Sequence, residues 1–530
     1  MSIKYSAEAD RLEAWVIKNS TWLALGIIAA AFAIRLVYAG SCYLNPDEAE
    51  HFGAARAGSW LEAYKASLLL AHPPLFILVL HGILFLGTTE LILRLPSLVA
   101  GTAALWLAFA WMRRSLEEIA ALAGLGFLAL SPAAITAATE VRQYGLLLLF
   151  VCGSLYATQR TFAERSTTWA TVQGLFLLGA LLTHYAAVVV LVSLGLYVLL
   201  RLASLGWLKG GAPQGILIAI SASQLVLATL LGGLYLGQIR RSAVFTSIGS
   251  LDYLQRYYYG AGRESPLGFV WRAVSGSFYY AVGPRPLAIL LLLVFVAGVA
   301  ALLAGRTKAP GITGFLVISP FVVGLAAAAF RVFPFAGSRH QAYLLPFLAV
   351  GISAAVAWLP RGRAVPLLLL GLVVAPVWIA HSAPENDPRV MPRFAMTETI
   401  EYLGRTVPRG EPLFVDDVTR DDLRYYLARN DTRLDAWSSN AGIEERLDGY
   451  LVVVPKMRSQ TAFRPVEMVE DVTDSARALG LPAGDPLWVV SAAWKEPSLG
   501  SRLPVGTDHE VKEFGRISVI RIAQKRRSLM

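Results

Sequence analysis

The chain has 530 residues, 55% of them hydrophobic and 16% charged, and its mean hydropathy of +0.54 excludes a soluble domain of ordinary composition. Its 2 cysteines, Cys42 and Cys152, fall in or beside apolar segments and cannot by themselves build a disulfide framework or a four-ligand zinc site. A net charge of +10 on such a chain fits basic loop flanks that orient it in a membrane, with a share for anionic lipid phosphates, and implies no nucleic-acid partner.

A spanning helix needs about 20 apolar residues, and Lys and Arg concentrate in short cytoplasmic loops. Trp22 to Tyr38 follows Lys4, Arg11 and Lys18. Because further spans follow, it reads as a retained first helix with a cytoplasmic amino terminus, not as a signal peptide cleaved near Ala39-Gly40-Ser41-Cys42. Gly40 to Leu93 carries Asp47, Glu48, Glu50 and Glu62, and its apolar piece Leu75 to Leu86 is too short to cross, so this segment is expected to stay outside. Leu95 to Met112 then runs inward to Arg113-Arg114, and Ile119 to Ala138 runs out to Glu140, Arg142 and Tyr144. Three short spans follow: Gly145 to Thr158, Trp169 to Thr183 and Ala186 to Leu200, with Arg160, Arg165 and Arg201 inside and His184-Tyr185 at an outer turn.

Ile216 to Leu236 leads to a long outer loop, Gln238 to Arg285, which is basic against the usual rule. Pro286 to Ala304 returns to Arg306 and Lys308, Ile312 to Phe330 leaves again, and Phe333 to His340 forms a second short outer turn. Tyr343 to Trp358 comes in to Arg361 and Arg363, and Val365 to Ala380 leaves as the eleventh span. From about Ser382 charged residues become frequent, and β-like runs at Leu413 to Val415, Leu451 to Val454, Leu487 to Ser491 and Ile517 to Ile522 alternate with helical patterns, as in a soluble α/β domain. Parity puts that domain outside, although its basic tail Lys525-Arg526-Arg527 would sit more comfortably in the cytoplasm.

The first outer loop contains Asn45-Pro46-Asp47-Glu48-Ala49-Glu50-His51-Phe52-Gly53 and later His72-Pro73-Pro74-Leu75. Two adjacent carboxylates beside a membrane helix are expensive unless solvated or used. One reading is a helix start, with Pro46 in the first turn and Asp47 and Glu48 favouring the amino-terminal dipole; the other is a pair that does chemistry.

The Asp-Glu pair with a distant His-Pro-Pro resembles GT-C glycosyltransferases of the protein O-mannosyltransferase and aminoarabinose transferase type. Asp47-Glu48-x-x-His51-Phe52-Gly53 is especially similar to the mannosyltransferases. The resemblance continues, in order, through Leu93-Arg94-Leu95-Pro96-Ser97, Glu140-x-Arg142-x-Tyr144, Thr183-His184-Tyr185 and Ser338-Arg339-His340, covering about residues 22 to 350. It implies a GT-C-like polytopic α-helical fold; the apolar segments give it about eleven spans, and up to 13, and the composition after Ser382 adds a carboxy-terminal α/β domain. The expected division is residues 1–381, with the first outer loop at 40–93, and an extracytoplasmic domain at 382–530.

The activity implied is inverting transfer of a hexose or pentose, at the outer face of the inner membrane, from an undecaprenyl- or dolichyl-phosphate carrier to a glycan, lipid or protein. The resemblance gives Asp47 as the proton acceptor, with Glu48 beside it in the catalytic pair. Arg94, Arg142, Arg339 and His340 are the candidates for the leaving phosphate, because fixed cations stabilise charge that develops as the bond breaks. His72, Glu140, Tyr144, His184 and Tyr185 are supporting candidates, and a divalent ion on Glu48, His72 and His184 is an option the aminoarabinose transferases allow, although no local ligand spacing supports it. Competing uses are ordinary: lipid headgroup anchoring for Arg94, pairing with Glu140 or another carboxylate for Arg142 and Arg339, and capping for the histidines.

Tyr257-Tyr258-Tyr259 suits either sugar stacking or a membrane-interface belt. A transporter or flippase of lipid-linked substrates is the alternative function; it calls for inverted repeats and ionisable residues at mid-membrane, whereas the charged motifs here cluster at span ends. A sensor is disfavoured by the absence of a sizeable cytoplasmic output domain.

Overall fold

The computed structural model describes residues 2–207, 211, 213–241, 254–359, 391–431, 436–457, 463–482, 484–492, 499, 502–503 and 507–523. The chain forms two compact units. The first is Met1–Val37, Tyr64–Val79 and Arg94–Glu385; the second is Tyr38–Ala63, Leu80–Leu93 and Asn386–Met530.

Among the described residues, 8 helices are long and apolar enough to cross a membrane: Ser20–Ser41, Glu90–Ser115, Tyr144–Glu164, Ala187–Ser204, Gln214–Ile239, Arg285–Leu303, Ile312–Ala329 and Arg339–Ala357. The pair Glu118–Leu130 and Pro132–Thr139, bent by 60°, makes a ninth, and Thr167–Thr183 is a shorter apolar helix. Helices thus cover ten of the eleven expected spans. The eleventh, Val365 to Ala380, lies outside the described residues, as do Arg361, Arg363 and the tail Lys525-Arg526-Arg527. The span expected to end at Thr158 continues as helix to Glu164, where Arg160 lies 4.3 Å over the Trp169 ring and donates to Glu164 at 2.8 Å.

One element departs from the expected long loop. Pro266–Val282 is a helix that buries Phe269, Ala273, Ser277 and Ala281 at i, i+4 spacing, with Phe278 and Val282 beside them, while Leu267, Val270 and Trp271 stay exposed. Elsewhere in the first unit small residues allow helices to meet closely: a Cβ on Gly298 would run into the Gly351 carbonyl of the helix Leu345–Ala357.

The bend after Leu130 leaves helix-end carbonyls that an apolar environment cannot satisfy. Arg35, fully buried in Ser20–Ser41, meets them. Its Nη1 donates to Ala129 O at 3.3 Å and Ala31 O at 3.1 Å, and its Nη2 to Leu128 O at 3.2 Å. Ser131 completes the break by accepting from the Ala134 N–H at 3.4 Å and donating to Ala281 O at 2.7 Å.

The second unit is built on a 7-stranded mixed sheet, whose strands are β1 (Pro412–Val415), β2 (Ala436–Ser438), β3 (Gly442–Leu447), β4 (Tyr450–Pro455), β5 (Leu487–Ala492), β6 (His509–Phe514) and β7 (Ile517–Ile522). Their order is β2-β3-β4-β1-β5-β7-β6, with β1 parallel to β4 and β5 and the remaining pairs antiparallel. Leu413 and Val415 point to the face covered by Arg393–Thr406 and Asp417–Ala428, while Phe414 points to the face covered by Pro465–Ala478. That covering on both sides explains why β5 reads as a continuous apolar run, Leu487-Trp488-Val489-Val490, buried along its length.

Pieces of the first loop belong to this second unit. Cys42 bridges to Pro392, the Tyr43 N–H donates to Met391 O at 3.3 Å, and the Tyr43 ring joins the core beneath the sheet. Asp422, on the helix Asp417–Ala428, is fully buried. Burial pushes its carboxyl well above the ordinary aspartate range, and Asp421, Asp416, Glu48 and Asp47 push the same way.

Two outcomes follow from these buried charges. Replacing Arg35 by Met strands the Leu128 and Ala129 carbonyls and should reduce stability by about 3 kcal/mol, seen as a lower melting temperature of the purified protein; an unchanged melting temperature would contradict the capping role. A carboxyl whose pKa is raised by folding stabilises below its unfolded pKa of about 4 and loses that contribution as pH climbs toward the folded value. The melting-temperature advantage of Asp422→Asn over wild type should therefore grow from pH 5 to pH 8, and a constant difference would show Asp422 ionised throughout.

Candidate active site

Asp47, Glu48 and His51 lie in the second unit, on the helix Pro46–Ala55. Asn45 starts that helix with extended backbone and closes a capping box: its side-chain oxygen accepts from the Glu48 N–H at 3.1 Å, and Glu48 Oε2 accepts from the Asn45 N–H at 2.9 Å. Pro46 occupies the first turn, where its missing N–H is no loss. One oxygen of buried Glu48 is therefore committed to the helix end, whereas Asp47 is half-buried and stands in the first turn, where the helix dipole favours its anionic form. His51 reaches back with Nδ1 2.5 Å from the Asp47 carbonyl, so Nδ1 carries the proton.

The other expected residues lie in the first unit. Glu140 ends the helix Pro132–Thr139 in extended backbone, and the chain turns through Arg142 into Tyr144–Glu164. Ser97 fixes this turn by donating to the Arg142 carbonyl at 2.8 Å. Arg94, one turn before Ser97 on Glu90–Ser115, is completely buried.

The Arg142 guanidinium lies 5.6 Å over the Tyr144 ring, and Tyr144 lies 5.4 Å from His184. The His184 ring is 6.0 Å from that of His340, and Phe333 sits 6.3 Å from both. The structure thus brings together the turn at Glu140–Tyr144, the turn at His184–Tyr185 and the segment before Leu345.

His184 follows the helix Thr167–Thr183, and its Nδ1 accepts from the Ala186 N–H at 2.9 Å. Burial pushes its pKa well below the ordinary histidine range, and His340, His72, Arg142 and Arg339 lower it further. It is a neutral imidazole whose Nε2 carries the proton, surrounded by cationic groups. Among the described residues no three His, Cys, Asp or Glu side chains gather as metal ligands.

Two glutamines that the sequence reading did not single out hold this assembly. Gln238, buried at the end of Gln214–Ile239, accepts from Tyr185 Oη at 2.6 Å and donates to the carbonyls of Ser67, Leu70 and His72 at 3.2, 2.9 and 2.9 Å. An amide inside an apolar run was the signal that marks it. Gln341 accepts from the Gly337 and Ser338 N–H groups and donates to Ser277 Oγ at 3.2 Å, locking the backbone before Arg339. Gly337 is required there, with φ of 79° and the Gly276 carbonyl where a Cβ would stand. Tyr257, Tyr258 and Tyr259 pack locally: Arg331 lies 5.9 Å over Tyr258, and Tyr259 is 5.5 Å from Phe269.

Residues 71–227 match the family described as dolichyl-phosphate-mannose-protein mannosyltransferase. No curated protein matches the chain by sequence. Among solved structures, ArnT from Cupriavidus metallidurans bound to undecaprenyl phosphate shares 14% identity at a TM-score of 0.48, over 94% of this chain and 97% of that one. The Archaeoglobus fulgidus oligosaccharyltransferase shares 12% identity at a TM-score of 0.47, over 90% of this chain and 70% of that one. For the S. cerevisiae protein O-mannosyltransferase Pmt1-Pmt2 complex bound to the sugar donor, the values are 17% and 0.34, over 48% and 37%. The family match falls on the stretch that carries His72, Arg94, Arg142 and His184 and bears out the resemblance read from the motifs, in a chain whose helices are those of a multi-span membrane protein.

Proposed function

We propose that the chain is an inverting glycosyltransferase that moves a hexose or pentose from a polyprenyl-phosphate carrier to an acceptor hydroxyl of a glycan, lipid or protein. The reading places this reaction at the outer face of the inner membrane, with residues 1–381 as the catalytic membrane part, the first outer loop at 40–93 and residues 382–530 outside the cytoplasm. The observation that supports it most is the gathering of Arg142, Arg339, His340 and His72 around buried, neutral His184, in a chain whose residues 71–227 match the mannosyltransferase family.

In this reading the acceptor oxygen attacks the anomeric carbon as the bond from that carbon to the phosphate oxygen breaks. The electron pair leaves on the phosphate, and Asp47 takes the proton of the attacking hydroxyl. A single displacement inverts the anomeric centre. The carrier phosphate gains negative charge in the transition state, so fixed guanidinium groups stabilise that state more than the bound donor. Arg142 and Arg339 suit this role because a planar fork holds two phosphate oxygens at once, and the His184 Nε2–H adds a neutral donor. Arg94 and His340 are assigned to the same phosphate, while Glu140, Tyr144, Tyr185 and His72 support the groups that hold it.

Because the capping box engages one oxygen of Glu48, this reading gives the proton to Asp47. Asp47→Asn keeps size and hydrogen bonding but removes basicity, so turnover at saturating donor should fall by roughly 10²-fold with unchanged melting. Near-normal turnover would leave Asp47 as a helix-start residue only. For the phosphate, Arg339→Ala should weaken binding of polyprenyl-phosphate sugar far more than Arg339→Lys, which keeps the charge but loses the fork. Equal affinity in wild type and Arg339→Ala would remove Arg339 from the phosphate site.

A further inference from the structure

The helix Asp417–Ala428 of the α/β domain is fixed at both ends. It begins directly after β1, where Asp416 accepts from the Thr419 N–H at 2.7 Å and from the Phe463 N–H at 3.3 Å. Near its other end Arg424 Nε donates to the buried Glu445 carboxylate on β3 at 2.6 and 2.8 Å. A helix tied to its sheet in this way is a rigid platform.

Two consecutive tyrosines on that platform grip the first loop. Tyr425 Oη donates to Thr88 O at 2.8 Å, and its ring meets Phe52 of the helix Pro46–Ala55 edge-on at 5.1 Å. Tyr426 Oη accepts from the Leu44 N–H at 2.8 Å and donates to Glu90 Oε1 at 2.6 Å. The other Glu90 oxygen lies 2.7 Å from Arg393 Nε. Leu44 and Glu90 are both buried, so neither has water as an alternative partner. Leu44 is the residue before Asn45, whose capping box sets the direction of the helix bearing Asp47.

We infer that Tyr426 is a positioning residue for the transfer reaction: by joining the Leu44 amide to the Glu90 carboxylate, the α/β domain sets the orientation of the first-loop helix and of Asp47. The inference rests on the reading of Asp47 as the base. The domain is then a working part of the transferase, because a base misplaced by a fraction of an ångström loses rate while donor affinity, set by the arginines, stays.

Tyr426→Phe tests this in the full-length protein in lipid, with polyprenyl-phosphate mannose as the probe. It keeps the ring and its packing and deletes the oxygen that joins the Leu44 amide to the Glu90 carboxylate. The expected result is a roughly 10-fold lower kcat, counted per donor-binding site, with the donor KM within about twofold of wild type. Hydrogen exchange without donor should show the Leu44 amide exchanging about 10-fold faster. Wild-type kcat in Tyr426→Phe together with loss of turnover in Asp47→Asn would overturn the positioning role and leave the base intact. Turnover retained in Asp47→Asn would overturn the base reading, and the Leu44 exchange rate would then decide whether Tyr426 orders the loop; unchanged exchange overturns that as well. Should Tyr426→Phe fail to fold, Glu90→Gln, which keeps an acceptor for the phenol, is expected to stay within a few-fold of wild-type turnover while Glu90→Ala falls about 10-fold. Equal turnover in those two variants overturns the inference.

Discussion

Backbone N–H and C=O groups cannot be left unpaired in hydrocarbon, and polar side chains beside a bilayer are tolerated only where the protein itself satisfies them. That constraint decides where this molecule can hold chemistry. The helix Glu118–Leu130 breaks before Pro132, Arg35 takes up the stranded carbonyls, and the short helix that follows delivers Glu140 and Arg142 to a turn. The same logic holds at His184, which ends one helix and accepts from the amide that starts the next, and at Gln341, which ties down the backbone before Arg339. Arg35, an ionisable residue within a span, is engaged with carbonyls, which gives it a structural use in place of the substrate pathway that a transporter would require.

The surroundings of His184 follow from this arrangement. Three turns meet, their side chains include Arg142, Arg339 and one further histidine, His340, and burial among them, with His72 also near, pushes the pKa of His184 well below the ordinary histidine range. Guanidinium groups gathered in this way suit a ligand that brings negative charge, as a leaving phosphate does in the proposed reaction. The acidic counterpart is treated in the opposite manner. Burial pushes the Asp422 carboxyl well above the ordinary aspartate range, Glu48 is engaged in a cap, and Asp47 stands half-buried in the first turn of its helix.

Most of the spans were readable because apolar length is a local property, and the strands Leu413 to Val415, Leu451 to Val454, Leu487 to Ser491 and Ile517 to Ile522 were readable because both faces of the central sheet are covered. The helix Pro266–Val282 was not, since Arg272 and its serines interrupt an apolar run whose i, i+4 stripe buries only one face. β3 and β6, with Glu444, Glu445, Glu510 and Lys512 among their residues, are too polar to register as strands without their partners. The motifs at Asp47, Arg142, His184 and Arg339 could be listed from the chain, but their supports could not. Tyr426 stands 382 residues from Leu44, and nothing near either residue announces the bond.

The proposed transfer takes the sugar from a polyprenyl phosphate in one displacement. The measurement that tests it most directly incubates the purified full-length protein in lipid with a panel of radiolabelled polyprenyl-phosphate sugars and acceptor-containing membranes, and follows free carrier phosphate and the anomeric configuration of the product. One sugar of the panel should be consumed, carrier phosphate should appear in step with product, and the product linkage should be inverted relative to the donor. A retained configuration, or a donor that crosses the membrane intact without release of carrier phosphate, would contradict the proposed transfer.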